Sequence, residues 1–109
     1  MITQQQLIEN LKPLVSYIST LDGVCKVVLF GSFARNQQTI SSDVDIAVIH
    51  NGDSPNALRR YLLQGLYDVY PSQEDIQFTT LQEHVYETDT HPLNVSSSIL
   101  KEGVILWQK

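Results

Sequence analysis

Leu7, Ile8, Leu11, Leu14, Val15 and Ile18 recur at helical spacing near the start of the chain. One apolar stripe of this kind predicts an amphipathic helix. Thr3 with Gln6 has the form of a capping box, in which two side chains satisfy free backbone N–H groups. Pro13 interrupts the pattern, and its missing donor predicts a kink or a break near Lys12. Residues 24–30 then form an almost continuous apolar run rich in β-branched side chains, as expected of a buried strand. The run closes at Gly31-Ser32, with a short helical turn expected through Arg35 to Gln38. Residues 43–50 alternate, with Val44, Ile46 and Val48 on one face and Asp43, Asp45 and Ala47 on the other, the period of a second strand. Ser54-Pro55 reads as a cap followed by a first-turn proline. Leu58, Leu62, Leu66 and Val69 extend that helix to Pro71. A third strand is expected over 74–78, a short helical piece capped by Thr80 and Glu83 after it, and a last helix over 93–102 stopped by Gly103. Residues 104–107 close the chain as a strand or an extended tail. Helices alternating with short strands predict an α/β fold, a small mixed β-sheet with helices packed on it.

With 109 residues, the natural expectation is a single domain, 1–109, able to bury a core without disulfides or structural metal. The lone Cys25 excludes an internal disulfide and a multi-cysteine zinc site, which fits a reducing cytoplasm. Seven Lys plus Arg against twelve Asp plus Glu leave a net charge of −5. That sign disfavours direct nucleic-acid binding. No apolar run approaches the ~20 residues of a membrane span, and the N-terminus lacks the form of a secretory signal.

The chemistry concentrates in Gly31-Ser32 followed, ten residues on, by Asp43-Val44-Asp45. Gly31 ends a strand, where the lack of a Cβ permits a tight turn and close approach to a ligand. Ser32 follows at an expected helical turn, whose N–H groups and hydroxyl can hold phosphate oxygens. Asp43 and Asp45, two apart on a strand, share one side at roughly 6–7 Å between backbones. Such a pair can hold one Mg²⁺ jointly, or two ions about 3.5–4 Å apart, as in-line phosphoryl chemistry uses. A lone Asp-x-Asp is more often a solvated strand face; the ordered combination with Gly-Ser separates the two readings.

From Gly31-Ser32-Phe33-Ala34-Arg35 through Ser41-Ser42-Asp43-Val44-Asp45-Ile46-Ala47-Val48, the chain resembles the minimal nucleotidyltransferases of the DNA polymerase beta superfamily. The leading helix and the ending Ile99-Leu100-Lys101-Glu102-Gly103-Val104-Ile105-Leu106-Trp107 are similar too, so the likeness spans nearly the whole chain. The resemblance implies a polymerase beta-like nucleotidyltransferase fold and a two-metal Mg²⁺ site. It also implies a nucleoside triphosphate, ATP in the first instance, as substrate. Gly31, Ser32 and Arg35 would bind the nucleotide, and Asp43 and Asp45 the metal. The family's third carboxylate, which would complete the second metal position and help deprotonate the acceptor hydroxyl, falls best on Asp75, which shares a strand face with Gln77, with Glu74 as the alternative. Where the family has glycine after Ala-Arg, this sequence has Asn36, a residue that tolerates left-handed backbone.

Three readings follow from the resemblance. The first is the antitoxin half of a toxin–antitoxin pair, transferring AMP to a hydroxyl of a HEPN-type toxin, an RNase. The second is transfer to a small hydroxylated molecule such as an aminoglycoside, against which the short chain counts. The third is a non-catalytic antitoxin that acts by binding alone. Homo-oligomers are compatible with all three. Arg35 is equally readable as a phosphate or ribose ligand and as an ion-pair partner. His50, His84 and His91 read as ordinary surface or half-buried histidines, Cys25 as a core residue, and Trp107 as core or an exposed anchor. Tyr17, Tyr61, Tyr67 and Tyr70 fall on or near apolar helix faces. The segments 81–91 and 104–107 are candidate docking surfaces for a protein acceptor.

Overall fold

The computed structural model describes residues 2–52, 55–70, 75–83 and 102–109. Helix α1 spans Gln4–Ser19, strand β1 Val24–Phe30, strand β2 Val44–His50, helix α2 Pro55–Val69, strand β3 Ile76–Gln82 and strand β4 Val104–Gln108. The four strands form one sheet in the order β3-β2-β1-β4. β1 runs antiparallel to β2 and to β4, while β2 and β3 are parallel. The parallel pair is joined through α2, as parallel strands require a crossover. The expected small mixed sheet with packed helices is therefore the fold observed. No described helix is long and apolar enough to cross a membrane.

Both helices cover the same face of the sheet. Leu7, Leu11, Leu14 and Ile18 of α1 are fully buried there with Val27, Leu29, Val44, Ile46, Val48 and Leu62. Burying each such side chain stabilises the fold by about 1.5–3 kcal/mol. The opposite face carries a smaller cluster, Val28, Ala47 and Ile49, with Phe30 and Leu81 against it. Asp43 and Asp45 alternate with the core residues of β2, which assigns them to this second face, away from the helices.

α1 begins where the capping box places it. The Thr3 hydroxyl accepts from the Gln6 N–H at 3.1 Å, and the Gln6 side chain accepts from the Thr3 N–H at 2.9 Å. Pro13 neither splits nor ends the helix, contrary to the break expected near Lys12. It lies exposed, opposite buried Leu11, Leu14 and Val15, so the carbonyl deprived of its donor meets water while the packed face holds the axis.

Other expectations change in extent. The short helical turn expected after Gly31 is a run of turns over 32–36 that ends short of Gln38. β3 continues to Gln82 because it pairs residue for residue with all of β2, so Thr80 lies inside a strand, and the short helical piece expected after it falls outside the described residues except at Glu83, which is helical. The expected last helix falls outside the described residues except at Glu102, which is helical. Residues 104–108 are not a free tail. They form β4 against β1, with Val104, Leu106 and Trp107 packed on the core. Cys25 is half-buried rather than core, at a point where the β1–β2 register shifts between Val24 and Lys26. His50 is buried at the far end of β2, whereas His84 and His91 lie outside the described residues. Tyr70 is buried, but Tyr61 and Tyr67 are exposed.

α1 and α2 touch at Gly65. A Cβ there would collide with the Tyr17 ring, whose hydroxyl donates to the Tyr61 carbonyl at 3.0 Å. Gly65→Ala alone should therefore destabilise, although alanine ordinarily gains about 1 kcal/mol over glycine inside a helix. In a Tyr17→Ala background the same change should stabilise by about that amount. Urea midpoints of the four proteins measure the reversal; stabilisation in both backgrounds would contradict the close approach.

Candidate active site

The β1–β2 pairing brings the two halves of the sequence motif together. Phe30 pairs with Asp45, so the residue after Phe30 turns directly beside that carboxylate. Gly31 has φ +78°, and a Cβ on it would meet Asp45 Oδ2, with Cγ only 3.1 Å away. Two independent reasons thus require glycine, the left-handed backbone and the space the carboxylate takes. Gly31 is the wall against which Asp45 rests.

Asp45 is half-buried and Asp43 exposed. Burial raises the Asp45 carboxyl above its ordinary value, and the Asp43 charge pushes it further the same way, while Arg35 acts in opposition. A carboxylate strained in this manner is relieved by a proton or by a cation.

Asp75 stands at the mouth of β3. The Val44 N–H donates to the Asp75 carbonyl at 2.8 Å, and the register pairs Val44 with Ile76 and Asp45 with Gln77. Extending that register by one residue sets Asp75 beside Asp43, about 4.8 Å away between strands. Ile76 and Phe78 are buried on the helix side, which leaves Asp75 and Gln77 on the face of the acidic pair, the alternation expected from the sequence. Glu74 lies outside the described residues. Among the described residues no three His, Cys, Asp or Glu side chains converge closely enough to hold a metal between them. Asp43 and Asp45 interact; the exposed Asp75 side chain does not complete a cage.

Ser32 opens the turn. The Arg35 N–H donates to the Gly31 carbonyl at 3.2 Å, Asn36 to Phe33 at 3.2 Å and Gln37 to Ser32 at 2.9 Å. The N–H groups of Ser32, Phe33 and Ala34 have no acceptor among the described residues. Asn36 has φ +56°, so it takes the left-handed conformation that the family's glycine would supply. Further on, the Ser42 hydroxyl accepts from the Thr39 N–H at 2.8 Å and the Ser42 N–H donates to the Thr39 carbonyl at 3.1 Å, which tightens the approach to β2.

Arg35 is engaged as an ion-pair partner. Its Nη1 lies 3.0 Å from Glu102 Oε2, and its Nε donates to Gln37 Oε1 at 3.1 Å. This pair ties the turn to the residue two before β4. Both side chains are substantially exposed, so the pair is worth no more than about 1 kcal/mol. Sequence reasoning did not find Glu102, which is 67 residues from Arg35 and carries no local signal.

The chain belongs to the polymerase beta nucleotidyltransferase family, which matches residues 12–109. Its fold is shared with solved structures at low identity. A Sulfolobus solfataricus protein assigned as a nucleotidyltransferase has a TM-score of 0.64 at 20% identity, over 97% of this chain and 84% of that one. A chain of a toxin–antitoxin structure with AMP-PNP has a TM-score of 0.60 at 20% identity, over 99% and 75% of the two chains. A complex of tri-AMPylated Shewanella oneidensis HEPN toxin with its MNT antitoxin gives a TM-score of 0.55 at 18% identity, over 98% and 74%. A search of curated proteins returned no match. The resemblance to minimal nucleotidyltransferases read from the sequence thus holds at the level of family and fold.

The folded Asp45 carboxyl keeps its proton to higher pH than the ordinary 3.8 of an unfolded aspartate. The folded state therefore binds more protons just above that value, and stability falls as pH rises through the raised one. Asp45→Asn should raise the melting temperature at neutral pH with chelator present, and the gain should fade below pH 3.8. Melting curves across pH test this; a variant no more stable than the parent at neutral pH would contradict a destabilising carboxylate.

Proposed function

We propose that this protein transfers AMP from ATP, with Mg²⁺, to a hydroxyl of a partner protein, and that the partner is a HEPN-type toxin. The observation that carries the reading is the Asp45 carboxylate seated against Gly31 with Asp43 beside it, at the start of the Ser32 turn. The structures of a toxin–antitoxin with AMP-PNP and of an AMPylated HEPN toxin with its antitoxin, which share the fold, support the choice of nucleotide and acceptor class.

The donor set suits Mg²⁺. Carboxylate oxygens are hard ligands, and Mg²⁺ characteristically takes one or two carboxylates plus substrate phosphates rather than an all-protein cage. Asp43 and Asp45 provide that pair without a third protein ligand in place beforehand. When bound, Mg²⁺ would neutralise the phosphate oxygens and favour ionisation of the acceptor hydroxyl.

The remaining roles fall to the chain's own groups. Ser32 and the N–H groups of its turn hold the β- and γ-phosphates, fixing the α-phosphorus opposite the acceptor. The acceptor oxygen forms a bond to that phosphorus as the bond to the bridging oxygen breaks, and pyrophosphate leaves. Asp75, on the same sheet face, takes the hydroxyl proton. Arg35 is held at the site's edge by Glu102 and lowers the local negative charge.

Incubation with α-labelled ATP, Mg²⁺ and a HEPN-type protein encoded beside this chain should label that protein. Asp43→Asn should reduce labelling about 100-fold or more, as loss of a charge-stabilising group does, and Asp75→Asn at least about tenfold, as loss of a general base does. Glu74→Gln should change it little. Label on free aminoglycosides without any partner would replace the protein acceptor with a small molecule. A silenced but unlabelled partner would mean inhibition by binding alone.

A further inference from the structure

Gln4, Gln5 and Gln6 form a run at the start of α1, and the structure gives each a separate task. Gln6 completes the capping box. Gln5 Nε2 reaches Glu9 Oε1 one turn on at 3.4 Å, in the open. Gln4 is half-buried and turns away from its own helix. Its Nε2 donates to the Phe33 carbonyl at 2.9 Å, which also accepts the Asn36 N–H within the turn, and to the Ala34 carbonyl at 3.2 Å, some thirty positions along the chain. Gln38 Nε2 returns the link to the Ile2 carbonyl at 3.4 Å. The start of α1 and the 31–38 turn are thus clasped by amides from both sides.

The clasp has a stereochemical consequence. In a trans peptide the C=O and the following N–H point in opposite directions, and the described residues contain no cis bond. With the Phe33 oxygen held toward α1, the Ala34 N–H must point away from it. That N–H has no acceptor among the described residues. Were this peptide to turn over, the carbonyl would face the site in its place and repel a phosphate oxygen. We infer that Gln4 is a positioning residue for the nucleotide: its amide fixes the Phe33–Ala34 peptide so that the Ala34 N–H is presented to the triphosphate. This rests on the nucleotidyltransferase reading above, and it assigns a task to a side chain that touches neither substrate nor metal.

The test uses the full chain, AMP-PNP with Mg²⁺ as the probe, and Gln4→Met, which keeps length and removes the donor. Gln5→Met is the control on the same helical turn. Calorimetry should give an affinity about tenfold weaker for Gln4→Met, the loss of one well-placed hydrogen bond to charge, and no change for Gln5→Met. In ¹H–¹⁵N spectra the Ala34 amide should move downfield when AMP-PNP binds the parent and stay nearly in place in Gln4→Met. A purely structural role would lower the melting temperature without moving either readout. Equal affinity and an equal Ala34 shift in the parent and Gln4→Met would overturn the positioning role alone. A parent protein that does not bind AMP-PNP at all would overturn the nucleotidyltransferase reading, and this inference with it.

Discussion

The Asp45 carboxylate lies against the backbone of Gly31, half out of water, with the charge of Asp43 on the same strand face. Bringing it there is unfavourable in the absence of a cation, since both burial and like charge resist ionisation. The arrangement persists because the sheet imposes it. β1 and β2 pair antiparallel, and their register sets Phe30 opposite Asp45. The apolar alternation of β2 is committed to α1 and α2 on the other side. Sliding the strand by one residue would turn Val44, Ile46 and Val48 away from the helices and carry the two aspartates into the core. Hydrophobic burial on one face thus maintains electrostatic strain on the other, a common feature of functional sites.

Much of this was legible because it rests on local pattern. The stripe of α1, the run of β1 and the alternation of β2 are signals of period 3.6 or 2, and the elements match them closely. The acidic pair and the glycine were readable by chemistry and spacing. Asn36 kept the left-handed turn, as its tolerance of that conformation suggested. What misled was context. The effect of Pro13 depends on which side of the helix faces water, and the length of β3 depends on the whole of β2 lying alongside it. The residues at 104–108 gave an extended pattern in sequence, but only the free edge of β1 makes them a strand.

The candidate site divides in the same way. Gly31, Ser32, Asp43 and Asp45 are close along the chain, and the structure brings them together. The partners that fix the turn come from far away in sequence. Glu102 holds Arg35 from beside β4, and Gln4 holds two successive carbonyls from the start of α1. No periodicity encodes such contacts, and a glutamine at the first position of a helix has no distinguishing mark. The one available hint was negative, since a capping box needs Gln6 but leaves Gln4 unexplained.

Two carboxylates that repel each other, and that would repel a triphosphate, should accept one when a divalent cation joins them. Calorimetric titration of ATP into the protein, once with Mg²⁺ and once with a chelator, tests it most directly. Affinity should be at least about tenfold tighter with Mg²⁺. Equal affinity in the two titrations would contradict it.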